Sequence, residues 1–236
     1  MKGYIEDKEL GKIYVELRRG MTSVRFTYHP DGHLLMRAPM GVTVAELQHI
    51  VNVNRERLRS LPKPEAVMFQ FGQNIGCFRC SVMIEPQSSH PGYILNRWEG
   101  ETLHVCPHET ADLNDEAIKK TISKVIGRAM EVKAEEVLLP YAREVADGLG
   151  LNPAGLEIGR GMRKLGHCTA KQVIQLSRNL MFLPEELIRY IICHELAHLT
   201  HMNHSPEFHA LVNRYTGGKE KELERQLRQF RFPIIK

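Results

Sequence analysis

The sequence predicts an α+β protein: a β-rich N-terminal lobe with one small helix, then a helix-rich C-terminal lobe with a short sheet beside its main helix. Three observations carry this. Residues 11–40 and 66–107 alternate apolar and polar side chains between Gly, Pro and Asp turn signals, the period of half-buried strands. From Asp112 onward, apolar residues recur at helical spacing. Two short β-like runs, Leu156–Ile158 and Val173–Ser177, interrupt that helical half. The change near residue 110 sets the lobes at 1–110 and 111–236, or the two halves of one continuous domain.

In the first lobe, Ile13–Leu17 and Val24–Tyr28 alternate around Gly20, and His29-Pro30-Asp31-Gly32 signals a turn into a strand at His33–Pro39. Thr43 is a suitable N-cap for a helix over Val44–Leu61, whose apolar positions are Leu47, Ile50, Val51, Val53 and Leu58. His29, His33 and His49 read as turn or surface residues. Further strands are expected at Val67–Phe71, Ser81–Ile84, Tyr93–Leu95 and Thr102–Val105, with Gly72–Cys80 as a long turn.

In the second lobe, Asn114-Asp115-Glu116 caps a helix through Ile118, Ile122, Val125, Ile126, Ala129 and Met130. Pro140 ends or kinks it, and a second helix, Tyr141–Leu149, closes at Gly148 or Gly150. These two helices form the back wall for the helix that follows. Gly159–Lys164 is a basic, glycine-containing connection between the two short strands. Leu183-Pro184-Glu185-Glu186 opens the main helix, with Pro at its first position and two acids where the helix dipole favours them. Leu187, Ile188, Ile191, Ile192, Leu196 and Leu199 form its packed side. Lys219–Arg231 reads as a charged helix with Leu223, Leu227 and Phe230 turned to the core.

Composition narrows the class. At 236 residues, 42% hydrophobic and 25% charged, the chain has the make-up of an ordinary globular protein. Its net charge of +4 is spread among acids, so nucleic-acid binding is open but not indicated. No apolar run approaches the ~18 residues that span a bilayer, so no membrane partner is expected. Met1–Lys8 is charged and lacks a signal-peptide apolar region. Together with an odd count of five cysteines, this points to the cytoplasm. The oligomeric state is not encoded in any pattern here.

Cys77-Phe78-Arg79-Cys80 followed by Cys106-Pro107-His108 offers four soft or borderline ligands, the first two at the spacing of a structural zinc pair. A second complete pair is absent, and cysteines are also common as small buried residues. A redox reading of Cys77 and Cys80 lacks the strand-to-helix context that lowers a thiol pKa.

The chemistry concentrates in Ile191–Phe208, with four histidines and two glutamates. His194 and His198 are four residues apart, so on a helix both imidazoles face one tetrahedral Zn²⁺. Glu195 is rotated off the ligand axis, where a carboxylate can accept a proton from a metal-activated water. An amphipathic core helix accounts for the aliphatic residues but not for this His, Glu, His set. For the third ligand, His201, His204 and His209 compete. His201 on a continued helix lies about 10 Å along the axis from His194. Asn203 is suited to a left-handed stop that swings His204 back, and Ser205-Pro206-Glu207 then opens a new helix running to Gly217-Gly218. His204 therefore sits at the joint and is the expected third ligand, with His201 and His209 solvated or supporting.

The run C-H-E-L-A-H-L-x-x-x-N-H-S-P-E-F, preceded by L-x-x-L-P-x-E-L-I-x-Y-I-I, closely resembles the YgjP-like metallopeptidase domain, a family of zincin type. The resemblance is strongest over Ile158–Val212 and weaker at Arg37–Pro39 and Leu139-Pro140. It places the family's ligands and base on His194, His198, His204 and Glu195. The His198-to-His204 spacing also matches the third histidine of the metzincin pattern, with His201 where that pattern has glycine. One departure stands out: the family's basic-Trp-Gly-Ser-Cys run is here Lys164-Leu165-Gly166-His167-Cys168.

The resemblance implies a zinc metallopeptidase acting on a peptide or protein substrate, with Glu195 as general base. It calls for no metal at Cys77, Cys80, Cys106 and His108. By resemblance and position, Val173–Ser177 is the strand that pairs with substrate, unless both its edges are already occupied. Tyr190, His167, His201 and Arg178 are the candidates to assist the oxyanion, although Tyr190 reads first as core packing. Two other classes share the motif: a protease of DNA-bound proteins, and a zinc-binding interaction protein without turnover.

Overall fold

The computed structural model describes residues 2–28, 33–61, 67–159 and 164–234. The turn expected at His29–Gly32 and most of the connection before Lys164 lie outside the described residues. The chain divides into two compact units, Met1–Ala66 and Val67–Lys236.

The first unit is a four-stranded sheet of order β1-β2-β4-β3, built from β1 (Lys2–Asp7), β2 (Gly11–Arg18), β3 (Arg25–Tyr28) and β4 (Leu34–Pro39). β1 lies in the charged N-terminal stretch that shows no alternation in its sequence, and it pairs antiparallel with β2 from Lys2↔Glu16 to Asp7↔Gly11. Ile5, Ile13, Val15, Leu34, Met36 and Ala38 are buried with Leu47, Val51 and Leu58 of the helices. The expected helix over Val44–Leu61 is two, α1 (Val44–Val53) and α2 (Arg55–Arg59). They join at Asn54, whose side-chain amide donates to the Ile50 carbonyl at 2.8 Å. Thr43 and Glu46 form the reciprocal capping box that their spacing allows.

The second unit begins with a four-stranded sheet of order β5-β6-β8-β7: β5 (Asn74–Cys77), β6 (Cys80–Ile84), β7 (Leu95–Glu99) and β8 (Thr102–Cys106). Here the sequence expectation needs correcting. Val67–Phe71 is not a strand, because the Ile84 amide bonds to the Gln73 carbonyl at 3.0 Å and β6 therefore pairs with the segment after it. Phe69 is buried, but Met68 and Phe71 are exposed.

α3 (Glu116–Gly148) is a single 33-residue helix, about 50 Å long, with Pro140 inside it. Two helices were expected. The lost amide at Pro140 is outweighed by burial on both sides of it, through Ala134 and Leu138 before and Tyr141, Ala142, Val145 and Ala146 after. The strand-to-helix change near residue 110 falls inside this unit. Val82, Ile84, Leu103 and Val105 of the sheet share one hydrophobic core with Ile122, Ile126 and Met130 of α3.

A second sheet has the order β10-β11-β9, from β9 (Gly155–Gly159), β10 (Gly166–Cys168) and β11 (Val173–Ser177). β11 pairs antiparallel with β10 and parallel with β9, so both its edges are occupied. The substrate-pairing role expected of Val173–Ser177 is therefore closed to it. A 3-10 helix, Arg178–Phe182, leads into α4 (Glu185–Ala197), followed by α5 (Pro206–Tyr215) and α6 (Glu220–Gln229). Among the described residues, no helix is long and apolar enough to cross a membrane.

Candidate metal centre

α4 carries His194, and its C-cap residue His198 follows one turn later, with ring centroids 5.2 Å apart. The helix is buried on nearly every side, through Leu187, Ile188, Ile191, Ile192, Cys193, Leu196 and Ala197, against α3, α5, α6 and β10. Close packing of this kind fixes the direction in which the two imidazoles project.

The helix ends earlier than its sequence suggests. Thr200 and His201 amides both donate to the Ala197 carbonyl, at 3.1 and 3.0 Å. Asn203 does not adopt the expected left-handed stop; among the described non-glycine residues only Arg79 and Gln172 have positive φ. The turn is closed instead by His198, whose Nδ1–H donates to the His201 carbonyl at 2.9 Å. A carbonyl only accepts, so this bond puts the proton on Nδ1 and leaves the Nε2 lone pair for a ligand.

His204 follows at the joint before α5. Ser205 caps that helix, accepting from the Phe208 amide at 3.4 Å, and Pro206 occupies its first position. His204 Nε2 lies 3.1 Å from His194 Nε2. One ligand atom from each of His194, His198 and His204 falls within 4.8 Å of the others, and this is the one such His, Cys or carboxylate cluster among the described residues. Three converging imidazoles with no carboxylate among them suit a borderline divalent cation.

Phe208, fully buried, forms the floor of the cluster. Its ring stacks on His198 at 4.5 Å and meets His194 and His204 edge-on at 4.9 and 4.8 Å. Nothing in the spacing argument singled it out. The signal was its place in α5: the third residue after the N-cap, one turn from the ligand joint.

Glu195 is 6% exposed. Burial pushes its carboxyl up to about 7, while a backbone N–H from Cys168 and the charge of Lys164 act in the opposite direction. β10 lies against it closely: a Cβ on Gly166 would stand 2.6 Å from both Cγ and Oε1 of Glu195. Gly166 is thus required by side-chain packing and not by backbone conformation. The three-residue strand that provides it was not recognised as a strand in the sequence. Burial also lowers the His194 pKa to about 4, with the charges of His198, His204 and His209 adding to it.

A cavity of about 370 Å³ opens beside this pair, lined by Lys164, Gly166, Tyr190, His194, Glu195 and Arg228 among others. Tyr190 is both packed and on the cavity wall; burial and nearby Glu224 and Glu220 hold its hydroxyl protonated, up to about 12. Arg178 is engaged with Glu131 of α3. His167 is exposed on β10, beside Gln175 and Ser177. His201 contributes its carbonyl to the turn, and His209 pairs through Nδ1 with Glu220 at 2.6 Å. Neither imidazole joins the cluster.

Cys77, Cys80, Cys106 and His108 do not converge. Thr102 stands opposite Ser81 in the parallel β6–β8 pair, so Cys106, four residues on, is carried about 13 Å further along the strand. His108 lies beyond it, bonded through Nδ1 to Thr110 at 2.8 Å.

No curated protein and no solved structure matches the chain. The model of one family does, over residues 94–230, which takes in β7, β8, α3, the second sheet and the whole histidine cluster. Residues 94–230 are more than half of the sequence, and the chain belongs to the YgjP-like metallopeptidase domain family.

Proposed function

We propose that the protein is a zinc-dependent metallopeptidase in which His194, His198 and His204 hold the ion and Glu195 is the general base. The observation that carries this reading is the convergence of three imidazole ligand atoms within 4.8 Å beside a buried carboxylate on the same helix. Three neutral imidazoles suit Zn²⁺ and leave one position open. Zinc bound there supplies Lewis acidity, lowering the pKa of water and polarising the scissile carbonyl.

The chain's own groups do the rest. Glu195 Oε1 or Oε2 accepts the proton of the attacking water and delivers it to the leaving amine, a transfer suited to a carboxyl with a pKa near neutrality. Cys168 N–H and the Gly166 backbone hold that carboxylate in one place. Tyr190, kept protonated by burial, is a donor for the oxyanion. Substrate pairs with β10 instead of β11. Ser177 N–H bonds to the Leu165 carbonyl and Thr169 N–H to the Val173 carbonyl, both at 2.9 Å. Strand alternation therefore turns the N–H and C=O of Gly166 and the C=O of Cys168 to the opposite edge for substrate, where the Cys168 N–H is already taken by Glu195.

The deciding experiment measures metal content and peptide hydrolysis for wild type and Glu195→Gln. Stoichiometric zinc in both, with cleavage only by wild type, is the expected result. Zinc in both without cleavage across a broad peptide library would reduce the protein to a zinc-binding module.

A further inference from the structure

We propose that Cys77 and Cys80 are a reversible disulfide site, oxidised by a low-molecular-weight disulfide such as that of glutathione. The inference does not depend on the metal centre. It rests on how the turn between β5 and β6 presents two thiols that sequence spacing alone left without a role.

Cys77 and Cys80 are direct partners in the antiparallel ladder, joined by a two-residue turn in which Arg79 adopts φ +56°. Facing residues in such a pair have Cα atoms about 4.5–5.5 Å apart, inside the range that a disulfide spans. Their side chains leave the same face of the sheet, with the Cys77 Sγ–H donating to the Ile75 carbonyl at 3.7 Å. Both are free and half-buried, and Cys77 lines an open cleft of about 580 Å³ with Arg79, Phe182 and Arg231. The other three cysteines, Cys106, Cys168 and Cys193, are buried.

The pair is also asymmetric. The neighbouring Cys77 thiol holds the Cys80 thiol below its ordinary pKa, helped by Lys133 and opposed by burial, Glu101 and Glu136. The proximity of Cys80, with burial, raises Cys77. This is the division of labour in thiol–disulfide exchange. The Cys80 thiolate attacks one sulfur of the small disulfide and expels one small thiolate, leaving a mixed disulfide on Cys80. Cys77 then loses its proton and its sulfur attacks Cys80 Sγ, expelling the second small thiolate. One S–S bond is broken and one formed, and the two protein protons end on the two small thiols.

A metal is the weaker occupant. Two thiols leave zinc short of ligands, and Cys106 and His108 lie at the far end of β8. Stabilisation is not the purpose either, because closing so short a loop removes little entropy from the unfolded chain. The turn does connect to the metal centre's support. Phe78 N–H donates to the Met181 carbonyl at 2.6 Å, just ahead of α4. Phe78 is buried against Tyr141 of α3, with ring centroids 5.1 Å apart.

The test uses the full chain, reduced and then treated with glutathione disulfide. Denatured thiol titration should fall from the five cysteines by two, with intact mass lower by two hydrogens and no retained adduct. Peptide mapping should locate the bond at Cys77–Cys80, and dithiothreitol should restore all thiols. Cys77→Ser and Cys80→Ser should each trap a glutathione adduct on the remaining cysteine, with the first step about tenfold slower in Cys80→Ser. Circular dichroism checks that both variants fold. Five unreacted thiols, a persistent adduct on wild type, or a disulfide reaching Cys106 would each overturn the proposal. So would thiols blocked by zinc beyond what the histidine cluster takes up.

Discussion

The histidine-rich stretch and the cysteine-rich sheet each offer four metal-ligating side chains in the sequence, and the fold brings three of the histidines together while it separates Cys106 and His108 from Cys77 and Cys80. In the first, His194 and His198 are on one helix and His204 is six residues beyond, so local geometry settles their proximity. In the second, Cys106 reaches Cys77 and Cys80 only through a parallel strand pairing, whose register carries it to the wrong end. Spacing within one helix is thus evidence of a site. Spacing across strands is not, until the register is known.

The predictions probe that contrast, taken from the largest effect to the smallest. Glu195→Gln should lower kcat by about 10²–10⁴ with zinc content unchanged, the range for loss of a general base, measured by steady-state peptide hydrolysis. Gly166→Ala should cost about 10² in kcat while zinc stays bound, because a Cβ 2.6 Å from Oε1 has to displace Glu195 itself. If Gly166→Ala retained full activity, β10 would have no part in holding the base. Phe208→Ala should weaken zinc about 10–100-fold, read by competition with a chromogenic chelator, since it removes the floor beneath all three imidazoles. It should also cost about 3–5 kcal/mol of stability in denaturant unfolding. Cys106→Ser should leave zinc content at its wild-type value, as the second set never converges. A drop in stoichiometry would reinstate a metal there and undo the comparison.

Much of the molecule was legible before folding. The α+β class, the strands at Ser81–Ile84, Thr102–Val105 and Val173–Ser177, the capped openings of α1, α3 and α5, and the metallopeptidase family follow from period, capping residues and motif. These are local properties, set by neighbours within a turn or two of chain. The histidine trio is local in the same sense, even though the turn that delivers His204 is closed by His198 and not by Asn203.

What only the tertiary structure decided involves partners distant in sequence. β1 has no alternation of its own and is a strand because β2 offers it an edge. Pro140 should break α3, yet core burial on both sides keeps the helix whole. Val173–Ser177 was legible as a strand, but not that both its edges are taken, which moves the free edge to three residues at Gly166–Cys168. Gly166 itself was legible only as the glycine of the run that resembles the family's basic-Trp-Gly-Ser-Cys pattern. Its meaning depends on Glu195, 29 positions later, filling the space where a Cβ would stand, and no local pattern contains that contact.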